Sequence, residues 1–467
     1  MKKTALLGIV LSVLVVEAAG CMMGPNYKRP TVSVPTGYRS AMPDQPAAAA
    51  SLGNEKWWDV YQDPVLADLI HTAIQQNYDV RIAAARVLEA QAQLGITRAN
   101  QLPSASIGAS IYSQQNAKTS NQFPPYQVNA GQLNLSVIWN LDFWGKYRRQ
   151  TEAARAQMLA SEWGQRAVIS SLVANVATAY FQLRALDSQL EISKRTLASR
   201  QQSLKLTEFL ESHGSNSRLD VSQSQQLVYT ASETIPDLER QIQQQENLLR
   251  ILLGENPGPV TRGQALTEQP VPESVPAGLP SELLERRSDV RQAEEIIVAA
   301  NAQIGVAKAS FFPSISLTGT GGLESNALNR FINAPSQTWF GALSVAQPVF
   351  QGGALRSGLR LSRAQYQEAV LSYQQTVQNA FEQVSNSLVA SQKDREFREQ
   401  QELLTQAARQ TNELSKVLYK NGGASYLQVL TSETNYFSAE LNLVDAQLNE
   451  RLALVQLYQS LGGGWQQ

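Results

Sequence analysis

Cysteine is nearly missing from this 467-residue chain. Cys21 is the only one, so no internal disulfide framework holds the fold. Histidine is almost as scarce: His71 and His213 stand far apart, without cysteine or paired carboxylates at ligand spacing, which gives no start for a metal site or a catalytic group. Charged residues make up 17%, below the usual quarter, and Gln, Asn and Ser take their place. Lys+Arg 39 against Asp+Glu 40 leaves no basic excess, which excludes nucleic acid as a partner. No glycine loop of the phosphate-cradling kind precedes a helix, and nothing else points to an enzyme. No segment carries the roughly 18 consecutive apolar residues of a transmembrane helix. Any crossing of a bilayer must therefore be made by strands. Proline is absent from 126–235 and again from 349–467.

The N-terminus is what first locates the chain. Met1-Lys2-Lys3 is basic, 5–16 is apolar, and Ala18-Ala19-Gly20 precede Cys21. This reads as a signal peptide over 1–20, too short to span a membrane. Its small-small-Cys ending resembles a bacterial lipoprotein box, in which Cys21 would carry a covalent lipid. An ordinary signal peptide with a chance cysteine is the competing explanation. Met22 rather than Asp after the cysteine favours the outer membrane. Residues 21–56, rich in Pro and Ala and without periodicity, read as a lipid-anchored tether, with order expected from Trp57-Trp58.

The rest of the sequence is written twice. Asp79-Val80-Arg81 returns as Asp289-Val290-Arg291 at an offset of 210 (79 to 289), and Pro103-Ser104 as Pro313-Ser314 in the same register. Later segments repeat at an offset of 208 (214 to 422): Gly214, Leu219 and Val221 map onto Gly422, Leu427 and Val429. A duplicated unit of this length implies internal structural duplication within one architecture.

Each proline-free stretch predicts a long helix, about 145–213 and 353–421, of roughly 100 Å at 1.5 Å per residue. In the second, Val370, Tyr373, Val377, Phe381, Val384 and Leu388 form a coiled-coil-like stripe, opposite Gln375, Gln378, Glu382 and Gln383. Each rod stops at glycine, Gly214 or Gly422-Gly423, where a left-handed turn is needed. A returning helix follows, and Pro236 is expected to kink the first of them. Strand candidates precede each rod at about 104–113 and 130–140, then 314–323 and 337–347. Leu133, Leu135, Val137 and Trp139 alternate with polar neighbours, as do Ile315, Leu317 and Gly319. Trp139, Phe143, Trp144 and Trp339 sit where a membrane-interface girdle would lie. The organisation is therefore a first repeat over 57–254 (hairpin about 145–253), a Pro-rich connector over 255–280, and a second repeat over 281–467 (hairpin about 353–461).

Four membrane-length strands cannot close a barrel, and lipid does not tolerate open edges. Two chains would give eight strands and a filled interior; three give twelve and a lumen. The fold class expected is thus an α+β membrane protein: a trimeric twelve-stranded β-barrel, four strands per chain, continuous with a long periplasmic α-helical barrel.

Several motifs then match in order. Gly24-Pro25-Asn26-Tyr27-Lys28-Arg29-Pro30 follows Cys21. Trp57-Trp58, Asp63-Pro64-Val65-Leu66, Leu141-Asp142-Phe143-Trp144-Gly145 and 279–287 come next, then Phe311-Phe312-Pro313-Ser314, Pro348-Val349-Phe350-Gln351-Gly352-Gly353 and Leu461-Gly462-Gly463-Gly464-Trp465. Over essentially the whole mature chain the sequence resembles the outer membrane factors of the TolC/OprM type, in their lipoprotein subgroup. The resemblance implies a homotrimeric conduit in the outer membrane. It would join a periplasmic adaptor (membrane fusion) protein and an inner-membrane pump of the resistance-nodulation-division (RND) type to the exterior, with no cofactor beyond the lipid on Cys21.

Function should concentrate at the hairpin tips, where helices converge and an adaptor would dock. Arg218, Leu219, Asp220, Tyr426, Leu427, Gln428 and Thr431 are the gate candidates; Gly214, Ser217, Val221, Gly422, Gly423, Ser425 and Val429 are the adaptor-facing ones. A plain helix start, with Asp220 favoured by the helix dipole, is the competing account of the same residues. Related proteins often carry acidic residues near the second tip, but this chain has Gln428 and Thr431, which leaves Asp220, or Glu433, as the source of a charged ring. Efflux of small molecules is the function these features favour. A duct for ATP-driven protein secretion and a structural coiled-coil lipoprotein are the alternatives.

Overall fold

A computed structural model describes residues 22–38, 51–115, 127–268, 278–326, 331–332 and 334–465. The signal peptide, Cys21 and part of the Pro-rich connector lie outside the described residues. Helices dominate: α1 (Trp57–Tyr61), α2 (Pro64–Gln76), α3 (Tyr78–Ala99), then β1 (Ser104–Gln115) and β2 (Gln127–Leu141), then α4 (Lys146–Ser212) and α5 (Arg218–Leu252). The second copy repeats this order, without a counterpart of α1, as α6 (Pro280–Arg286), α7 (Ser288–Ala309), β3 (Ser314–Ser325), β4 (Gln337–Ala346), α8 (Ala354–Lys420) and α9 (Tyr426–Ser460). The long helices match in length, as do β1 and β3 at 12 residues each, whereas β2 has 15 residues and β4 has 10. Both rods contain 67 residues and both returning helices 35.

The chain divides into two compact units, and neither unit is one of the two copies. One gathers 1–31, 86–161 and 292–374; the other gathers 32–85, 162–291 and 375–467. Each takes equivalent pieces from both copies.

In the first unit the four strands form one antiparallel sheet of order β1-β2-β3-β4, so β1 and β4 are its edges. Ser104 pairs with Ile138, Leu141 with Ile315, and Ser314 with Ala346. The strands overrun the alternating segments of the sequence. Gln114 and Gln115, polar and unpatterned, pair with Val128 and Gln127, because the hairpin ladder holds them regardless of side chain. Local signals set the way into each rod. Asp142 accepts hydrogen bonds from the N–H groups of Tyr147 and Arg148 at 3.2 and 2.9 Å, covering orphan donors of α4. Gly352 and Gly353 turn from β4 into α8 with φ of 55° and 86°.

The same unit corrects the expectation that order begins at Trp57. Residues 22–30 are bound rather than loose. Met23 N–H donates to the Trp144 carbonyl at 3.1 Å, and the Asn301 amide donates to the Pro25 carbonyl at 2.9 Å. Buried Arg149 donates to Met23 O at 3.1 Å, to Asn26 Oδ1 at 2.9 Å and to Glu152 at 2.7 Å. Further along, Glu294 receives Tyr27 and Arg29 together, at 3.1 Å and 2.7 Å. Gly24, at φ 99°, crosses so close to Gly305 that a Cβ on it would stand 2.5 Å from the Gly305 Cα.

In the second unit the core gathers Leu66 and Ile70 of α2, Tyr180 and Leu183 of α4, Leu249 of α5 and Leu457 of α9, all buried. Tyr61 packs edge-on against Phe181 and Tyr458. Asp63 caps α2 by accepting from Val65 and Leu66 N–H, and Pro64 stands at the first turn, where it loses no bond. The Tyr180 hydroxyl donates to Asp63 at 2.7 Å and accepts from Gly263 N–H at 3.0 Å. Burial holds that phenol protonated by raising its pKa. The described start of the connector is pinned too: Arg262 bridges Asp187, at 3.1 Å, and Glu246. Helix α5 continues unbroken through Pro236. On α8, Tyr373, Val377, Val384 and Leu388 of the predicted stripe are buried, while Gln375, Gln378, Glu382 and Gln383 are exposed.

Arg149→Ala is expected to cost about 1–3 kcal/mol, because a buried guanidinium and the hydrogen bonds it donates to part-buried acceptors are lost together. Thermal denaturation of the detergent-solubilised protein and limited proteolysis after Met23 check this. An unchanged midpoint with an unchanged digestion pattern would contradict it.

Candidate functional site: the sheet faces and the hairpin tips

The sheet keeps one parity across all its strands. Every observed pairing joins odd residues to odd and even to even. Successive side chains point to opposite faces, so each face can be read directly. The odd face carries Ile107, Ile111, Leu133, Leu135, Val137, Trp139, Ile315, Leu317, Leu323, Leu343 and Val345. The even face carries Ser104, Ser106, Ser110, Gln132, Asn134, Ser136, Ser316, Thr318, Thr320 and Ser344, with Tyr112, Ile138 and Phe340 as its large apolar exceptions. One side of the sheet thus suits hydrocarbon and the other suits water. The sheet shows this contrast directly, whereas the strands read singly show only alternation.

The girdle residues occupy particular places. Trp139 is the third residue from the helix end of β2, on the apolar face, and its indole N–H donates to the Gln101 carbonyl at 3.1 Å. Trp339 is the third residue of β4, on the same face and 85% exposed. Trp144 lies beyond β2, stacked on Phe312 at 4.8 Å with its N–H on the Pro313 carbonyl at 2.8 Å; Phe143 beside it is half-buried.

In the second unit the two tips are built alike. Gly214 (φ 74°) and Gly422 (φ 73°) occupy equivalent left-handed positions. Ser215 N–H donates to Leu210 O and Gly423 N–H to Leu418 O, both at 2.8 Å, closing the same helix stop twice. Ser217 and Ser425 then cap α5 and α9. The caps differ in one respect. Asp220 reaches back to the Ser217 N–H at 2.9 Å and completes a capping box, while Gln428 at the equivalent place leaves a one-sided cap. Asp220 therefore has a structural task within its own chain.

Among the gate candidates, Leu219 is 63% and Leu427 60% exposed, and Arg218, Gln428 and Thr431 are exposed beside them. Tyr426 is buried instead. Its hydroxyl takes a bond from Thr207 at 3.2 Å and shares a short one with Ser224, and burial raises its pKa. Val221 and Val429, read from the sequence as adaptor-facing, are 1% and 4% exposed and support the tip from inside. Exposed Gly214, Ser217, Gly422, Gly423 and Ser425 form its outer surface. Glu433 is no ring carboxylate, since it is buried against Lys416 at 2.6 Å.

Contacts missed by sequence reasoning lock one copy to the other. The Asn216 amide bonds the Tyr419 hydroxyl at 2.9 Å, Gln189 donates to Asp445 at 2.7 Å, and Arg195 pairs with Glu440. Arg200 donates to Leu227 O at 2.9 Å beneath the Phe437 ring. No spacing within either copy announces these partners. His71 packs edge-on against Trp57 at 4.8 Å, and His213 Nδ1 lies 2.8 Å from the Phe209 carbonyl. Among the described residues no three His, Cys, Asp or Glu side chains gather at a metal-holding distance.

A two-faced sheet with open edges, duplicated together with a long helical hairpin, defines a class of membrane channel proteins. The chain belongs to the outer membrane efflux protein family, which it matches over residues 69–255 and 279–463, once in each copy. It is 33% identical over 453 residues to the cation efflux system protein CusC of Escherichia coli, covering 96% of both chains. Identity to the probable efflux pump outer membrane protein TtgC of Pseudomonas putida is 33% over 461 residues, covering 97% of this chain and 95% of that one. The solved outer-membrane channel OprN superposes with a TM-score of 0.88 at 28% identity, over 95% of this chain and 100% of that one.

Neighbouring residues on opposite faces should respond oppositely to charge. Leu135→Arg is expected to lose about 2–4 kcal/mol near the middle of a bilayer. Ser136→Arg, on the wet face, should assemble normally. The yield of heat-resistant oligomer in isolated outer membranes reads this, and equal yields from the two variants would contradict the assignment of faces.

Proposed function

We propose that this chain is one of three identical subunits of an outer membrane efflux duct. Each supplies four strands to a twelve-stranded barrel and two helical hairpins to its periplasmic extension. The observation that carries this reading is the sheet, apolar on one face, polar on the other, and open at β1 and β4. Such a sheet cannot stay open in lipid. Eight strands from two chains would be filled by side chains, while twelve from three leave a passage with a polar lining.

In this reading the copies over 57–254 and 281–467 form the wall, 255–280 connects them, and a lipid on Cys21 holds the N-terminus at the outer membrane. The bound segment 22–30 would then fix that lipid close to the base of the strands. Export runs from an inner-membrane pump of the RND type through an adaptor, which meets the exposed tip residues Gly214, Ser217, Gly422, Gly423 and Ser425. Cargo is small toxic molecules. A wide wet bore selects little, so selection belongs to the pump. Leu219 and Leu427 are the side chains exposed enough to occlude the bore, with Arg218 beside them.

Reconstituted protein is expected to have the mass of three chains and to give discrete single-channel currents in planar bilayers. A monomeric, non-conducting product would overturn the reading. For the gate, Arg218→Ala and Asp220→Ala are each expected to raise open probability, the second by loosening the α5 cap that costs about 0.5–2 kcal/mol to lose. If both variants conduct like the parent, the tip residues do not gate the channel.

A further inference from the structure

The two hairpins of the sheet are related by fixed offsets. Moving β1 by 210 and β2 by 208 turns the pair Ser104–Ile138 into Ser314–Ala346 and Ser113–Asn129 into Leu323–Gln337, so the first ladder as far as Ser113 becomes the whole of the second. The duplication is therefore kept at the level of register. The in-chain seam between β2 and β3 is the one junction of the sheet that joins the end of one copy to the start of the next. Between subunits the same junction recurs as β4 of one chain against β1 of its neighbour.

We infer that β4 pairs with β1 of a second copy of this chain in the register of the β2–β3 seam, setting Val345 opposite Ala109, Leu343 opposite Ile111 and Gly341 opposite Ser113. This rests on the trimeric assembly put forward above and adds the register to it. The in-chain pairs Val137–Gly319, Leu135–Gly321 and Leu133–Leu323 become these three pairs under the two offsets. Parity supplies an independent restriction. A slip of one residue would turn the apolar face of one subunit to the side of the polar face of the next. Only even slips keep a continuous lipid face, and the inferred register is one of them. Ile111 and Leu343, at 87% and 64% exposed, then stand side by side on that face. Pro348 offers no N–H, so the seam is taken only as far as Ala346. Tyr112 stands where the in-chain seam has Gly322, at which a Cβ would lie 2.0 Å from the Leu133 carbonyl oxygen, so the two strands must part slightly at Tyr112. Of the two test pairs, Ala109 with Val345 lies three residues from Tyr112 and Ile111 with Leu343 lies beside it.

Cysteine cross-linking in the full-length protein decides the register. Directly opposed residues place their Cα atoms about 4.5–5.5 Å apart, inside the range that a disulfide spans. Pairs displaced by two residues are too distant. The double variants Ala109→Cys/Val345→Cys and Ile111→Cys/Leu343→Cys are compared with the displaced pairs Ala109→Cys/Leu343→Cys and Ile111→Cys/Val345→Cys. The four single variants and the parent, which keeps Cys21, serve as controls. Mild oxidation of isolated outer membranes and non-reducing electrophoresis should show a reducible ladder up to three chains for the first two variants. The displaced pairs are expected to give at least fivefold less. Stronger cross-linking in a displaced pair overturns the register and leaves the trimer intact. Absence of cross-links in every pair, with the protein still trimeric by mass, also overturns it. Absence of cross-links from a monomeric protein overturns the assembly itself.

Discussion

Everything in this molecule follows from the backbone groups left unpaired along β1 and β4. In water such edges are satisfied by solvent. In hydrocarbon each N–H and C=O must find a protein partner, and a single chain with four strands has none to offer. The need for sister subunits thus comes from hydrogen bonding rather than from any particular side chain. The side chains decide which way the closed wall faces: odd positions carry most of the large apolar side chains and even positions most of the polar ones, with Tyr112, Ile138 and Phe340 as even-face exceptions.

The helical part solves a different problem with the same duplicated unit. The rods are 67 residues each, and the first buries a dense run from Ile169 to Ala185. They are joined at intervals by polar contacts between copies, such as Gln189 with Asp445 and Arg195 with Glu440. Packing is tight at the tip, where Tyr426, Val429 and Leu430 gather with Leu227 and Tyr419 around them. Identical glycine stops and serine caps start both returning helices, yet only the first cap is closed by a carboxylate. The two tips are therefore equivalent in backbone and unequal in the charge they present.

Much of this was legible in the sequence because it depends on local pattern. Alternation at Leu133, Leu135, Val137 and Trp139 marks a strand with two different faces, and Gly214 and Gly422 mark helix ends. What stayed hidden depends on partners distant in the chain. Nothing near Tyr426 or Val429 says that they pack against the other hairpin, and nothing near Val221 says that it is buried, so exposed tip residues were expected where buried ones stand. The segment after Cys21 shows no periodicity and reads as a tether. Its order comes from Arg149 and Glu294, 126 and 265 positions away from their bonded partners Met23 and Arg29. The sequence signal was present in Gly24, whose tight crossing at Gly305 only a residue without a Cβ permits.

The central claim is that the sheet separates lipid from water by residue parity. Spin labels placed one at a time from 132 to 140 in the reconstituted protein measure it most directly, by collision with oxygen, which concentrates in lipid, and with a water-soluble nickel complex. The account predicts a strict two-residue alternation, with oxygen reaching 133, 135, 137 and 139 and nickel reaching 132, 134, 136, 138 and 140, Ile138 being on the even face despite its apolar side chain. Uniform accessibility along the strand, or nickel at the odd positions, would contradict it.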